Sequence, residues 1–211
     1  MATAIHTIFL EDFSITSPEA RLSTAKQFIA ACQKYGFVYL KGLPILEPSI
    51  INEAFEWTRK VFALSVEDKM KAKHPPGYTV HRGYMGVGRE KVVEGGTGYI
   101  QEEEGQTFII DQKESYDLGH ERNPMQPNQW LPEDVLPGFK EYMVKYHSSF
   151  HESAKIVFEV IELGLGLGKE FFADRCSSVE NQLRLLHYPS LKVDKLEDSG
   201  STRFGAHADW S

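Results

Sequence analysis

The sequence predicts an α+β chain in which a helical layer covers an antiparallel sheet whose later strands are missing. Helical periodicity dominates the first third and returns in one long stretch after Pro137, whereas strand-like runs gather towards the end. The regular strand–helix alternation of a parallel α/β sheet does not occur.

Taken in order, Thr7–Phe13 is short, rich in β-formers and bounded by polar residues, and predicts a first strand. Ser17-Pro18-Glu19 starts a helix, with a capping oxygen before a proline at the first helical position. Leu22, Ala25, Phe28, Ile29 and Cys32 follow helical spacing, and Gly36 ends the run. Phe37–Leu40 reads as a strand. A second helix runs from about Pro48 to Leu64, with Ile51, Ala54, Phe55, Thr58 and Phe62 on one stripe. Ser65, followed three residues on by Asp68, caps a short helix that His74-Pro75-Pro76 stops.

From Gly77 to Gly119 glycines are frequent and helical spacing vanishes. Lys91–Val93 and Thr107–Ile110 suggest strands, and Glu102–Glu104 a solvated loop. Four prolines between 124 and 137 mark a turn-rich connection that includes Trp130. The longest helical signal follows, with Phe139, Met143, Tyr146, Phe150, Ala154, Val157, Ile161 and Leu165 at steps of three and four, closed by the glycines to Gly168. Residues 169–175 read as one or two further helical turns. Gln182–Tyr188 and Arg203 to the end read as strands.

Composition excludes several function classes. With 41% hydrophobic and 25% charged residues the chain is ordinary for a soluble globular protein, and it is long enough to bury a core. A formal net charge of −7 argues against nucleic acid or an anionic membrane as partner, because both demand a basic face. No apolar run approaches a membrane span, and no secretory signal is visible at the N-terminus. Cys32 and Cys176, far apart and outside any CxxC, suggest a reducing compartment, and the expected location is cytoplasmic.

The chemical motifs are few. His207-Ala-Asp209, if extended, sets an imidazole and a carboxylate on the same face of a strand, because side chains alternate with a period of two. Two ligands of a 2-His-1-carboxylate Fe(II) site are arranged this way, although the spacing by itself also suits a strand end with a hydrogen-bonded histidine. His147 and His151, one helical turn apart, form a second possible metal pair, but Ser148 stands where a zinc protease needs Glu. Gly164–Lys169 lacks the Ser or Thr of a phosphate loop and follows a helix. Gly83–Gly88 lacks the helix that a dinucleotide fingerprint requires. No Ser or Cys lies in a nucleophile elbow.

Read together, Leu183-Arg-Leu-Leu-His-Tyr-Pro189, a polar loop and Gly205-Ala-His-Ala-Asp209 resemble the ordered "LRxxxYP" and "GxHxD" strands of the Fe(II)/2-oxoglutarate dioxygenases of the isopenicillin N synthase-like superfamily. Cys32–Leu40, Phe62–Lys69, Arg82-Gly-Tyr84, Lys113–Asp117 and Asn128–Pro132 resemble further landmarks of that family, although Lys41-Gly42-Leu43 replaces its usual histidine-bearing turn.

The resemblance implies a non-haem dioxygenase N-terminal region over residues 1–125. Residues 126–211 would then hold the long helix and first strands of a double-stranded β-helix, or jelly roll. It implies His207 and Asp209 as two iron ligands and Tyr188 as a contact of the 2-oxoglutarate carboxylate. Leu186 stands where several members place an Asn, and Tyr84 lies in a stretch that reaches towards substrate. The implied partners are Fe(II), 2-oxoglutarate, O2, ascorbate as reductant and a small organic substrate that is hydroxylated or desaturated. The family's second iron-ligating His and its Arg-x-Ser lie downstream of the matched strands and do not occur here, so the chain alone is expected to be inactive. The alternative reading is a natural non-catalytic binding or regulatory form. Substrate and oligomeric state are not specified.

Overall fold

The computed structural model describes residues 5–11, 13, 17–76, 80–93, 96–99, 112–173, 175–176 and 181–191. Two compact units emerge, one built from Met1–Phe55 and Met143–Val179, the other from Glu56–Tyr142 and Glu180–Ser211.

In the first unit, β1 (Thr7–Phe9) pairs in parallel with β2 (Tyr39–Lys41), joined by α1 (Pro18–Tyr35). The helix begins and ends where the sequence predicts. Ser17 Oγ accepts from the Ala20 amide at 3.3 Å, and Gly36 adopts the left-handed φ of 73° while donating to the Cys32 carbonyl. Ala25, Phe28 and Ala31 form its buried stripe, and the core gathers Ile8, Leu10, Phe13 and Phe28 against Val160. The first strand is shorter than predicted, because Leu10 is already tied to Lys41 and Phe13 turns back onto the Leu10 carbonyl.

Val160 belongs to α4 (Phe139–Leu165), the long predicted helix. Its buried stripe keeps Phe139 and Met143 of the predicted one, with Val157 and Ile161 packed on the core, and departs from it at other positions. Met143, His147, Ser153, Val160 and Glu162 are buried, whereas Phe150 and Leu165 are exposed. Gly164 lies inside the helix, against α1. A Cβ there would come within 2.7 Å of the Ala25 carbonyl oxygen, so the two helix backbones approach as closely as glycine permits. The stretch after α4 forms turns rather than the further helix predicted. Buried Glu162 accepts from the Glu170 and Phe172 amides, and Glu170 sits at φ 65°, which interrupts helical winding.

The second unit contains the end of α2 (Pro48–Ala63), α3 (Val66–Met70), the hairpin β4 (Glu90–Val93) with β5 (Gly96–Tyr99), and a three-stranded antiparallel sheet. Ser65 caps α3 as predicted, accepting from the Asp68 amide at 3.0 Å. On α2 the predicted stripe holds for Ala54 and Phe62, but Phe55 is exposed and Val61 is buried instead. The sheet runs β3 (Gly83–Met85), β6 (Glu114–Gly119), β7 (Gln182–His187), with β6 in the middle. The Tyr116 ring meets Phe139 edge-on at 5.4 Å and its hydroxyl donates to the Gln129 carbonyl at 2.5 Å. The segments around Thr107–Ile110, Glu102–Glu104 and Arg203–Ser211 lie outside the described residues.

Candidate functional site

The sheet of the second unit carries chemistry on both faces, and its register decides which residues meet. Pairing of Glu114 with His187 and of Asp117 with Arg184 follows from the β6–β7 alignment. Because strand side chains alternate, Glu114, Tyr116 and Leu118 face one way, and Ser115, Asp117 and Gly119 the other.

On the first face, the buried Glu114 carboxylate accepts three hydrogen bonds. Lys69 Nζ donates at 2.9 Å, the Tyr84 hydroxyl at 2.6 Å, and His187 Nδ1 lies 2.7 Å away. Lys69 also donates to the Phe62 carbonyl at 3.3 Å, and the Phe62 ring stacks on His187 with centroids 5.4 Å apart. Burial pushes the Glu114 carboxyl up, but the bonds from Lys69, Tyr84 and His187 outweigh it and hold the group below its ordinary value. Burial, together with the bond to Glu114, drives the Tyr84 hydroxyl far above the ordinary tyrosine range. Tyr84 reaches this place because Gly83, at φ 89°, lets its amide bond the Ala72 carbonyl at 2.7 Å.

On the second face, Asp117 is fully buried and both its oxygens are held by Arg184, Nε and Nη2 each at 2.7 Å, a fork-on-fork pair. Arg184, Leu186 and Tyr188 alternate along β7 and its extension, so they share this face. Leu186 and Tyr188 are 41% and 39% exposed, open enough to meet a small molecule. Arg82 and Ser115 lie buried near the same pair.

The predicted site residues are distributed as follows. Tyr188 is half-exposed beside Leu186. Tyr84 is buried with its hydroxyl on Glu114. His207 and Asp209 lie outside the described residues. Among the described residues no three His, Cys, Asp or Glu side chains gather as a metal site, and His147 and His151 find no third ligand there. Sequence reading missed the Lys69–Glu114–His187 network, the Asp117–Arg184 pair and Arg82. The available signal was charge inside strand-like runs, at Arg184 and His187 and across Lys113–Asp117.

The family described as the N-terminal region of the non-haem dioxygenase in morphine synthesis matches residues 5–133, more than half of the chain. The chain belongs to the non-haem dioxygenases. Among curated members, the 2-oxoglutarate-dependent dioxygenase gloF of Glarea lozoyensis is 30% identical over 207 residues, covering 98% of this chain and 62% of its own length. The proline hydroxylase buaE of Petromyces alliaceus is 32% identical over 199 residues, covering 94% and 59%. Among solved structures, full-length T7H of Neurospora crassa with α-ketoglutarate superposes with a TM-score of 0.79 at 32% identity, covering 97% of this chain and 60% of that one. The chain therefore spans about three fifths of the length of the dioxygenases it resembles. Its α+β architecture, with helices and part of a sheet, is that of the jelly-roll oxygenases. No helix among the described residues is long and apolar enough to cross a membrane.

Proposed function

We propose that this chain carries part of the active site of an Fe(II)- and 2-oxoglutarate-dependent dioxygenase that oxidises a small organic molecule by hydroxylation or desaturation. The observation that carries this reading is the match to 2-oxoglutarate-dependent dioxygenases over 98% of the chain, a span that takes in β7 and Tyr188 directly after it. The neutral imidazole of His207 and the carboxylate of Asp209 suit Fe(II) as a donor pair, and these two residues would hold the metal. When bound, Fe(II) with 2-oxoglutarate supplies the oxidising power needed to attack a C–H bond, with ascorbate keeping the metal reduced. Tyr188 donates from its hydroxyl to a cosubstrate carboxylate, and the apolar side chain of Leu186 beside it excludes water without competing for hydrogen bonds. A relative named as a proline hydroxylase and a T7H structure holding thymine make small nitrogen heterocycles the first substrates to test.

Taken alone, the 211-residue polypeptide supplies two of three metal ligands, so it binds Fe(II) weakly and does not turn over. The test is Fe(II) titration together with succinate release in 2-oxoglutarate, ascorbate, and L-proline or thymine. Weak binding that disappears in both His207→Ala and Asp209→Ala is expected. Undiminished binding in these variants overturns the ligand assignment, and robust succinate release overturns the inactivity.

A further inference from the structure

Arg82 is 1% exposed, and only its Nη1 is satisfied, donating to the His81 carbonyl at 2.6 Å. Among the described residues, its Nε and Nη2 have no hydrogen-bond partner. A guanidinium does not shed its charge, and a buried charge lacking a counter-ion is strongly unfavourable. Among the described residues, the carboxylate whose field reaches Arg82 is Asp117, and Arg184 occupies both of that group's oxygens. The Nε–Nη2 edge with which Arg184 grips Asp117 is the very edge left unpaired on Arg82. Gly119 packs against this edge: a Cβ there would fall 2.1 Å from Arg82 Nη2, so only glycine lets the guanidinium lie on the strand. Ser115, on the same face and also 1% exposed, adds an Oγ without a partner on the other side of Asp117.

We propose that Arg82 is a carboxylate-binding residue, receiving a small carboxylic acid on its unpaired Nε–Nη2 edge beside the Asp117–Arg184 pair. The fork geometry selects a planar two-oxygen anion over a spherical one. Both a substrate acid and 2-oxoglutarate present such a group. The inference stands on the geometry of the sheet and does not require the iron assignment. Because the guanidinium is covered, the acid displaces what lies over it on entry, and association is slow.

The experiment uses the full 211-residue chain in chelator, with thermal unfolding and calorimetric titration of sodium acetate, L-proline and 2-oxoglutarate against sodium chloride of matched ionic strength. At least one carboxylate is expected to raise the unfolding temperature above the chloride control. Its affinity should fall tenfold or more in Arg82→Gln and in Arg82→Lys, the latter keeping the charge but losing the fork. A response to acetate or L-proline assigns the site to a substrate acid, and a response to 2-oxoglutarate alone assigns it to the cosubstrate. Arg82→Met, without ligand, should unfold no earlier than the wild type, since it removes an unpaired charge. The inference is overturned if no carboxylate outperforms chloride, if both Arg82→Gln and Arg82→Lys respond like the wild type, or if Arg82→Met is strongly destabilised. His207→Ala should leave the carboxylate response intact, so loss of iron binding and loss of this site are read separately.

Discussion

Glu114 joins residues from three separate parts of the sequence, because Lys69, Tyr84 and His187 converge on its carboxylate. Removing one partner of a buried ion pair strands the other, at a cost of about 3–5 kcal/mol. Glu114→Gln should therefore lower the urea midpoint strongly, whereas adding Lys69→Met to it should recover a large part of the loss. A double variant no more stable than Glu114→Gln would show that the ion pair is not the source. The pH dependence has a definite sign. The folded carboxyl titrates below its ordinary value, so its contribution is complete above the ordinary carboxylate range and is lost as pH falls through the depressed folded value. Acid unfolding followed by circular dichroism should show this loss, and the slope should flatten in Glu114→Gln. At high pH the raised Tyr84 hydroxyl acts the other way: its stabilisation is complete below the ordinary tyrosine value and declines above it. None of this was legible in the sequence. A Lys, a Glu and a His count as solvated until their partners are known, and these partners lie 45 and 73 residues apart along the chain.

Whole elements were easier to read than the faces they bury. Ser17, Pro18 and Gly36 mark the ends of α1 through capping chemistry that acts within a few residues, and local signals of this kind survive in a bare sequence. The phase of a helix is set instead by what packs on it. Thus Phe55 and Phe150, apolar and correctly spaced, are exposed, while His147 and Glu162 are buried. β6 was hidden for the same reason, since Glu-Ser-Tyr-Asp is strand-like only when both of its acids have distant partners. Gly164 offers a test of helix packing. Alanine is favoured over glycine by about 1 kcal/mol in a helix interior, yet its methyl would collide with the Ala25 carbonyl and with Ile29. Overpacking of this kind costs about 1–3 kcal/mol. Gly164→Ala should therefore leave the protein no more stable, and thermal unfolding at an unchanged or lower temperature is the expected outcome. A clear rise would mean that the two helices have slack.

For the molecule as a whole, the family and its architecture were legible because several landmarks occur in one order along the chain, which no single motif could show. The described sheet then adds something those landmarks do not contain, a division of labour between its faces. Glu114 and its donors fasten one side of β6, while Asp117, Arg184 and Arg82 set the polarity of the other, where Tyr188 is half-exposed. Disturbing the first side should therefore act on binding only through the position of β7. In the 211-residue chain, His187→Phe, which retains the ring on Phe62 but drops the bond to Glu114, should lower stability while leaving any carboxylate affinity within about threefold, a difference worth only about 0.7 kcal/mol. Calorimetric titration of that variant checks the separation, and a tenfold loss would show that the two faces are coupled.

Glu114 and Asp117 stand three positions apart on β6, an odd interval, so their partners on β7 must approach from opposite sides of the sheet. If β7 docked one residue out of step, His187 and Arg184 would exchange sides, so that Glu114 would keep only Lys69 and Tyr84 and Asp117 would lose its fork-on-fork partner. A slip by two would restore the sides but miss both partners. The pair of acids thus works as a two-key lock during folding, accepting one alignment of the incoming strand and rejecting its neighbours.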